Sequence, residues 1–252
     1  MIGPRSRRWF SILIIFLSAF ALRVLYLIEF RKNPFFHYFL LDPFWHISWA
    51  KEIASGDWLG DEVFFRAPLY PYFLGLLFRI FGEGLLLPRV IQFFIGSVSA
   101  VLVYLLAFKL FRRSAPAFVS GIIMAAYGPM IYFEGEFLIS VIIVFLDLLV
   151  LLALMRSREI SSWRGFVLSG LFLGGSAIAR PNILLFAPFV LLWVILESKS
   201  RVRDLFRLGL PFIIGVLIVV APVTFRNWVV GGDFVLISSQ GGVNFFIGNN
   251  LY

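Results

Sequence analysis

Apolar runs of about twenty residues, repeated along the whole chain, limit what this sequence can fold into more than any other feature. Such a run is long enough to cross the hydrocarbon core of a bilayer as an α-helix. The composition agrees, since 61% of the 252 residues are hydrophobic and only 14% are charged, against about 25% charged in soluble domains. The short alternating segments of a transmembrane β-barrel are absent from the sequence. We therefore predict an all-α, polytopic membrane protein.

Seven transmembrane helices are predicted, and residues 1–252 are treated as a single transmembrane domain. The predicted spans are 9–29, 88–110, 114–133, 137–155, 163–179, 181–196 and 207–226. A further apolar stretch at 68–82 begins with two prolines and is expected to lie at the outer interface instead of crossing. The chain has no cysteine, which excludes disulfides, thiolate metal sites and cysteine nucleophiles.

The distribution of basic residues predicts the orientation. Three arginines precede the first span, so the positive-inside rule places the N-terminus in the cytoplasm. If 68–82 does not cross, the later basic clusters fall on that same side, at 109–113, 156–164 and 199–207. Because the net charge of +8 resides in these short loops, membrane lipids and not nucleic acid are the expected partners. The expected location is the cell (inner) membrane, with the segments 30–87 and 227–252 and any active site on the outer face.

The first outer segment contains the stretch "LLDPFWHISWAKEIASGDW", residues 40–58. Residues 43–55 are predicted to form a short amphipathic helix on the membrane surface, because Pro43 suits a first helical turn and Phe44, Ile47, Ala50 and Ala54 form an apolar stripe. Asp42 directly precedes this helix. A structural N-cap and a catalytic carboxylate are equally compatible with that position, and one residue can serve as both.

An acidic residue just after the first span, the helix end "GDW", and the stretches "FFRAPLYPY" and "PRVIQFFIGSVSAVLVYLLAFKLFRRSAP" resemble the GT-C glycosyltransferases. The branch that contains protein O-mannosyltransferases and the lipid A aminoarabinose transferase is the most similar, from about residue 10 to the end of the sequence. This resemblance implies a polyprenyl-phosphate sugar donor, a lipid or protein acceptor, and attack from the outer side of the membrane. It also implies a catalytic role for the first outer acid, here Asp42.

Two departures from the family pattern accompany this resemblance. The mannosyltransferases typically carry an Asp-Glu pair where Pro43 follows Asp42 here. Full family members also continue into further spans and often a soluble outer domain. The chain is therefore expected to correspond to the N-terminal membrane portion of such an enzyme.

Sugar transfer from a lipid phosphate requires a base for the acceptor hydroxyl and cations for the departing phosphate. Asp42 is expected to be the base of an inverting displacement, because partial desolvation at the bilayer boundary makes a carboxylate more basic. The turn "YFEGEF" supplies Glu134 and Glu136. Glu134 is the preferred second catalytic carboxylate, and Glu136 is assigned to substrate binding.

Three arginines predicted to lie on the outer side are candidate substrate ligands. Arg66 is the preferred phosphate ligand, because a guanidinium can pair with phosphate through two parallel hydrogen bonds. Arg89 and Arg180 are further candidates. Anchoring at the lipid headgroups or pairing with an outer carboxylate remains open for these arginines. Arg23, inside the first span, is instead expected to make a structural ion pair or packing contact near Glu29.

His46 lies one turn after Asp42 and is expected to hydrogen-bond Asp42, a headgroup or the substrate. The oligosaccharyltransferase branch of GT-C binds a divalent metal with an Asp-x-Asp motif, which this sequence lacks. Neither a metal nor another cofactor is therefore expected.

Two other classes of function share some of these features. A transporter or flippase for a polyprenyl-linked or anionic lipid would also combine outer charges with apolar helices, but it would concentrate ionisable groups near the bilayer midplane. A non-catalytic membrane subunit or fragment is the third possibility.

Overall fold

The computed structural model describes residues 4–197 and 200–249, which form helices joined by short connections, with no β-strand among them. The prediction of an all-α protein is confirmed. These residues cluster into two compact units. The N-terminal unit comprises residues 4–54 and 73–152, and the C-terminal unit comprises residues 55–72, 153–197 and 200–249.

The N-terminal unit is built around three helices that pack through small side chains. The helices in this part of the chain are α1 (Pro4–Phe30), α2 (Leu41–Ser55), α3 (Leu69–Phe81), α4 (Leu86–Phe111), α5 (Ser114–Ala125), α6 (Gly128–Gly135) and α7 (Ser140–Glu159). Ala19, Ala100 and Ala117 are fully buried where α1, α4 and α5 meet, next to Ile15 and Tyr104. Small residues allow membrane helices to approach closely, which increases their van der Waals contact.

The predicted span 114–133 is broken in the structure. Helix α5 ends at Ala125, α6 begins at Gly128, and the two axes differ by 45°. Pro129, in the first turn of α6, has no backbone N–H to extend the preceding helix and is compatible with a new helix start. Helix α6 ends within the "YFEGEF" turn, which the charge pattern predicts to lie on the outer side.

On α2, His46, Ile47, Ala50 and Ile53 are buried, and Ala50 and Ile53 lie against Gly75 of α3. A Cβ at Gly75 on α3 would lie only 2.7 Å from the Cγ2 of Ile53, so glycine permits this contact. Of the predicted apolar stripe, Ile47 and Ala50 are buried and Phe44 is 60% exposed. Helix α3 has 13 residues and spans about 20 Å at 1.5 Å per residue, too short to cross a core of about 30 Å.

The C-terminal unit is dominated by one close helix crossing. Its elements are α8 (Trp163–Ala177), a 3₁₀ turn (Pro181–Leu185), α9 (Phe186–Leu196), α10 (Arg201–Asp204), a π-helical turn (Leu205–Gly209), α11 (Leu210–Gly231) and α12 (Gln240–Asn249). A Cβ at Gly170 on α8 would lie 2.0 Å from the Phe212 carbonyl oxygen, and one at Gly215 on α11 would lie 2.2 Å from that of Val167. The two backbones are therefore in direct contact. Helix α12 was not predicted.

Four helices among the described residues are long and apolar enough to cross a membrane, and counting the bent pair α5 and α6 gives a fifth. The four are Arg7–Phe30, Leu86–Phe111, Ser140–Glu159 and Val202–Gly231. Helices also occupy the predicted spans 163–179 and 181–196, but they are shorter than a usual span. The polytopic membrane class is thus confirmed, while the number seven stays a prediction. Lys199, in the last predicted basic cluster, lies outside the described residues.

Candidate functional site

A cavity of about 680 Å³ in the N-terminal unit brings together two of the predicted site residues, Asp42 and Glu136. The lining is a mixture of carboxylates and large apolar or aromatic side chains, and it includes Glu29, Tyr26, Phe30, Phe35, Tyr38, Phe39, Tyr132 and Phe133. No lysine or arginine belongs to this lining among the residues that the structure describes. The cavity can therefore accept hydrogen bonds from hydroxyl groups and contact an apolar or sugar ring surface.

Asp42 lies at the start of α2, directly after the irregular stretch 38–40. The helix begins at Leu41, so Asp42 is in the first helical turn and not before it. Leu41 has a φ of 55°, a backbone conformation uncommon outside glycine. This turn orients the start of the helix so that Leu41, Asp42 and Pro43 all line the cavity.

Glu136 reaches the cavity from a turn whose backbone is held by buried side chains. Four consecutive carbonyls, from Glu134 to Phe137, each accept a hydrogen bond from a side chain on α2 or α4. Gln92 donates to the carbonyls of Glu134 and Glu136 at 2.7 and 3.0 Å, and Arg89 donates to that of Gly135 at 2.9 Å. His46 on α2 donates to the fourth carbonyl, that of Phe137. Carbonyls at and beyond a helix end lack partners within the helix, and these side chains supply them.

His46 acts on this turn through its Nδ1, which lies 2.8 Å from the Phe137 carbonyl oxygen. A carbonyl can only accept, so Nδ1 carries the proton in this contact. The ring is 5% exposed, and it does not line the cavity among the described residues. This geometry assigns His46 to holding the turn, whereas its predicted contact with substrate stays a prediction.

Arg89 is fully buried and not available at the cavity surface. Its guanidinium donates to the carbonyls of Gly135 and Phe36, each at 2.9 Å. It also lies 4.0 Å from the ring centre of Phe36 and 4.6 Å from that of Phe137, within the range of cation–π attraction. These contacts assign Arg89 to holding the turn at Gly135 in place, whereas its predicted contact with substrate stays a prediction.

Glu134 is likewise fully buried, in an ion pair with Arg23. Its two carboxylate oxygens accept from Nε and a terminal nitrogen of Arg23 at 2.5 and 2.8 Å. Gly96 on α4 leaves room for the Glu134 carboxylate, since a Cβ at this position would lie 2.2 Å from it. The structure therefore places Glu136 and not Glu134 at the cavity. The expected structural ion pair of Arg23 is present, with Glu134 as its partner instead of Glu29.

The electrostatic surroundings of Glu136 differ from those of a carboxylate in water. Burial raises its pKa above the usual carboxyl value, and the guanidinium of Arg89 partly offsets this effect. A higher pKa makes the carboxylate a better proton or hydrogen-bond acceptor near neutral pH.

The two remaining predicted ligands, Arg66 and Arg180, lie in the C-terminal unit. Arg66 is partly buried, and Arg180 is exposed at the end of the loop after α8. The backbone N–H of Leu69, three residues after Arg66, donates to the carbonyl of Ile178 at 3.0 Å. Ile178 precedes Arg180 by two residues, so this bond brings the two arginine-bearing segments side by side.

Sequence reasoning missed the residues that fix the Arg66 segment. Asn227, fully buried near the end of α11, accepts from the N–H of Phe64 at 3.0 Å and donates to two carbonyls of the segment after α11. Arg226 donates to the carbonyls of Leu59 and Glu62. The signal was present as a polar "RN" pair at the end of an apolar span, where polar groups are costly unless they have partners.

Metal binding has no visible basis in the part of the chain that the structure describes. Within residues 4–197 and 200–249, no group of three or more His, Asp or Glu side chains is placed to hold a metal ion.

Comparison with known proteins places these features in a family. The sequence model described as dolichyl-phosphate-mannose-protein mannosyltransferase matches residues 66–228, more than half of the chain. This range includes Arg66, Arg89, the "YFEGEF" turn and Arg180, while Asp42 and His46 precede it. No curated protein and no solved structure gives a significant match. The chain therefore belongs to the dolichyl-phosphate-mannose-protein mannosyltransferase family, and it is a GT-C-type membrane glycosyltransferase.

Proposed function

We propose that the chain transfers a sugar from a polyprenyl-phosphate donor to a hydroxyl group of a lipid or protein acceptor, at the outer face of the cell (inner) membrane. The family supports the class of donor in general terms. The observation that carries the proposal is the cavity of the N-terminal unit, where Asp42 and Glu136 meet aromatic side chains. Such a cavity provides proton and hydrogen-bond acceptors for hydroxyl groups, and rings for an apolar or sugar surface.

In the proposed mechanism Asp42 is the base. Its carboxylate takes the proton of the acceptor hydroxyl while that oxygen bonds to the anomeric carbon of the sugar. The bond between the anomeric carbon and the phosphate oxygen breaks, and the polyprenyl phosphate leaves with the electron pair. Phosphate is a good leaving group, so no strong general acid is needed. One displacement of this kind inverts the anomeric configuration. Glu136 is proposed to accept hydrogen bonds from substrate hydroxyls.

Arg66 and Arg180 are the proposed ligands of the donor phosphate. This assignment rests on chemistry, since guanidinium groups pair with phosphate oxygens at headgroup depth. It is supported within the C-terminal unit by the backbone bond that joins their segments. Because Arg89 is buried and bound to carbonyls, it is not part of this proposed set.

The proposal is tested by reconstituting the chain in proteoliposomes with a radiolabelled polyprenyl-phosphate sugar and candidate acceptors. Release of polyprenyl phosphate together with formation of a glycoside supports the proposal. Movement of intact donor between leaflets without its cleavage would instead identify a transporter, and an inert protein would support the non-catalytic alternative.

Replacing the proposed phosphate ligands is expected to weaken use of the donor. Arg66→Ala should raise the donor KM by about 10-fold or more, because a hydrogen bond to a charged group contributes about 1.5–3 kcal/mol. Arg180→Ala should act in the same direction. The exposed Arg164, on the predicted cytoplasmic side, provides the control, and Arg164→Ala should leave KM unchanged. Unaltered donor KM in both Arg66→Ala and Arg180→Ala would place the phosphate elsewhere.

A further inference from the structure

Gln92 is a fully buried polar side chain on α4 that the sequence interpretation did not single out. Its Nε2 donates to two carbonyls, those of Glu134 at 2.7 Å and Glu136 at 3.0 Å. A buried amide is costly unless its hydrogen bonds are satisfied. These two bonds therefore account for a glutamine in an otherwise apolar span, and they tie α4 to the turn that carries Glu136.

The two carbonyls flank the place where the helix gives way to extended backbone. Helix α6 ends at Gly135, and Glu136 has φ −85° and ψ 158°. The last carbonyls of a helix have no partners within the helix, so side chains must supply them. By bridging the carbonyls of Glu134 and Glu136, Gln92 fixes the backbone on both sides of the Gly135–Glu136 peptide. The direction in which the Glu136 side chain leaves the backbone is fixed with it.

The remaining contacts of this region do not depend on Gln92. The Arg23–Glu134 ion pair holds the end of α6 to α1. Arg89 binds the carbonyl of Gly135, and His46 binds that of Phe137. A protein without the Gln92 amide therefore retains the packing of α6 against its neighbours, while the orientation of Glu136 loses its closest support.

We propose that Gln92 is a positioning residue that acts through Glu136, by setting the place of its carboxylate in the cavity that it shares with Asp42. This inference rests on the proposed function, in which Glu136 contacts substrate hydroxyls. A displacement of about 1 Å in such a contact can reduce the rate by about 10²-fold. The amide does not itself touch the substrate.

A double-mutant cycle between Gln92 and Glu136 tests this role. Gln92→Leu removes the donor at similar size and should lower kcat/KM by about 10- to 100-fold. Glu136→Gln removes the charge that Gln92 positions. In the Glu136→Gln background, Gln92→Leu should then change kcat/KM by less than about 3-fold, since the two residues act as one unit. Gln92→Met, with a longer apolar side chain, repeats the cycle if Gln92→Leu fails to fold.

Each outcome of the cycle is decisive. Strong coupling between the two substitutions, with thermal stability retained, supports positioning through Glu136. Losses that multiply independently would show a structural role of Gln92 alone and overturn the inference, while leaving the transferase proposal intact. Absence of any transfer by the unmodified chain would overturn the proposed function and this inference with it.

Discussion

Asp42→Asn is expected to reduce sugar transfer by about 10²- to 10⁴-fold, the contribution typical of a general base. Asparagine keeps the size and shape of the side chain but cannot take the proton of the acceptor hydroxyl. Because Asp42 is not a proposed phosphate ligand, donor affinity should remain close to that of the unmodified chain. The measurement is the rate of polyprenyl phosphate release in proteoliposomes, with donor binding measured separately.

Glu83→Gln is the matched control for this substitution. Glu83 is also an exposed carboxylate of the predicted outer segment; it pairs with Lys51 and is not among the residues that line the cavity. Its replacement should leave transfer unchanged. Full activity of Asp42→Asn would contradict the assignment of the base, and an equal loss in Glu83→Gln would indicate a general effect of removing outer negative charge.

Breaking the buried Arg23–Glu134 pair is expected to have the largest effect on stability. Glu134→Gln leaves the guanidinium of Arg23 without a counter-charge. Arg23→Met leaves the carboxylate of Glu134 without one. Loss of one partner of a buried pair costs about 3–5 kcal/mol. Each single substitution should therefore lower the thermal unfolding midpoint strongly, measured in detergent micelles.

Replacing both partners should restore part of this loss. In Arg23→Met combined with Glu134→Leu no uncompensated charge remains, and apolar replacements of buried pairs are often neutral or better. Lys32→Met, which breaks the exposed pair with Glu29, should change stability by no more than about 1 kcal/mol. If the loss of unfolding free energy in this double variant equalled the sum of the losses in Arg23→Met and Glu134→Leu alone, the ion pair would not be the reason for the burial of Glu134.

The helix positions could be predicted from the sequence because length and hydrophobicity are local properties. The break between α5 and α6 was missed, although "YGPM" contains the Gly-Pro pair that marks it. Helix α12 was missed because its ten residues lack both a long apolar run and a charge pattern. The number of true spans also depends on the bent pair and the short helices α8 and α9, which composition alone does not settle.

The candidate site could be predicted only in part, because ion pairing depends on contacts distant in sequence. Asp42 and the "YFEGEF" turn were predicted, and both line one cavity in the structure. The sequence did not indicate that Glu136 and not Glu134 lines the cavity, since Arg23, the ion-pair partner of the buried Glu134, lies 111 residues away. A charged residue within a span requires a partner in the bundle, and that rule pointed to a structural pair for Arg23 without naming Glu134. Gln92, a polar residue in an apolar span, gave the same kind of signal.

The anomeric configuration of the product tests the central claim, that sugar leaves the lipid phosphate in one displacement with Asp42 as the base. The measurement is NMR of the glycoside formed from a donor of known configuration. Inversion is the predicted result, because a single attack reverses the anomeric centre. Retention would require a covalent intermediate on a carboxylate, and it would contradict the assignment of Asp42 as a base.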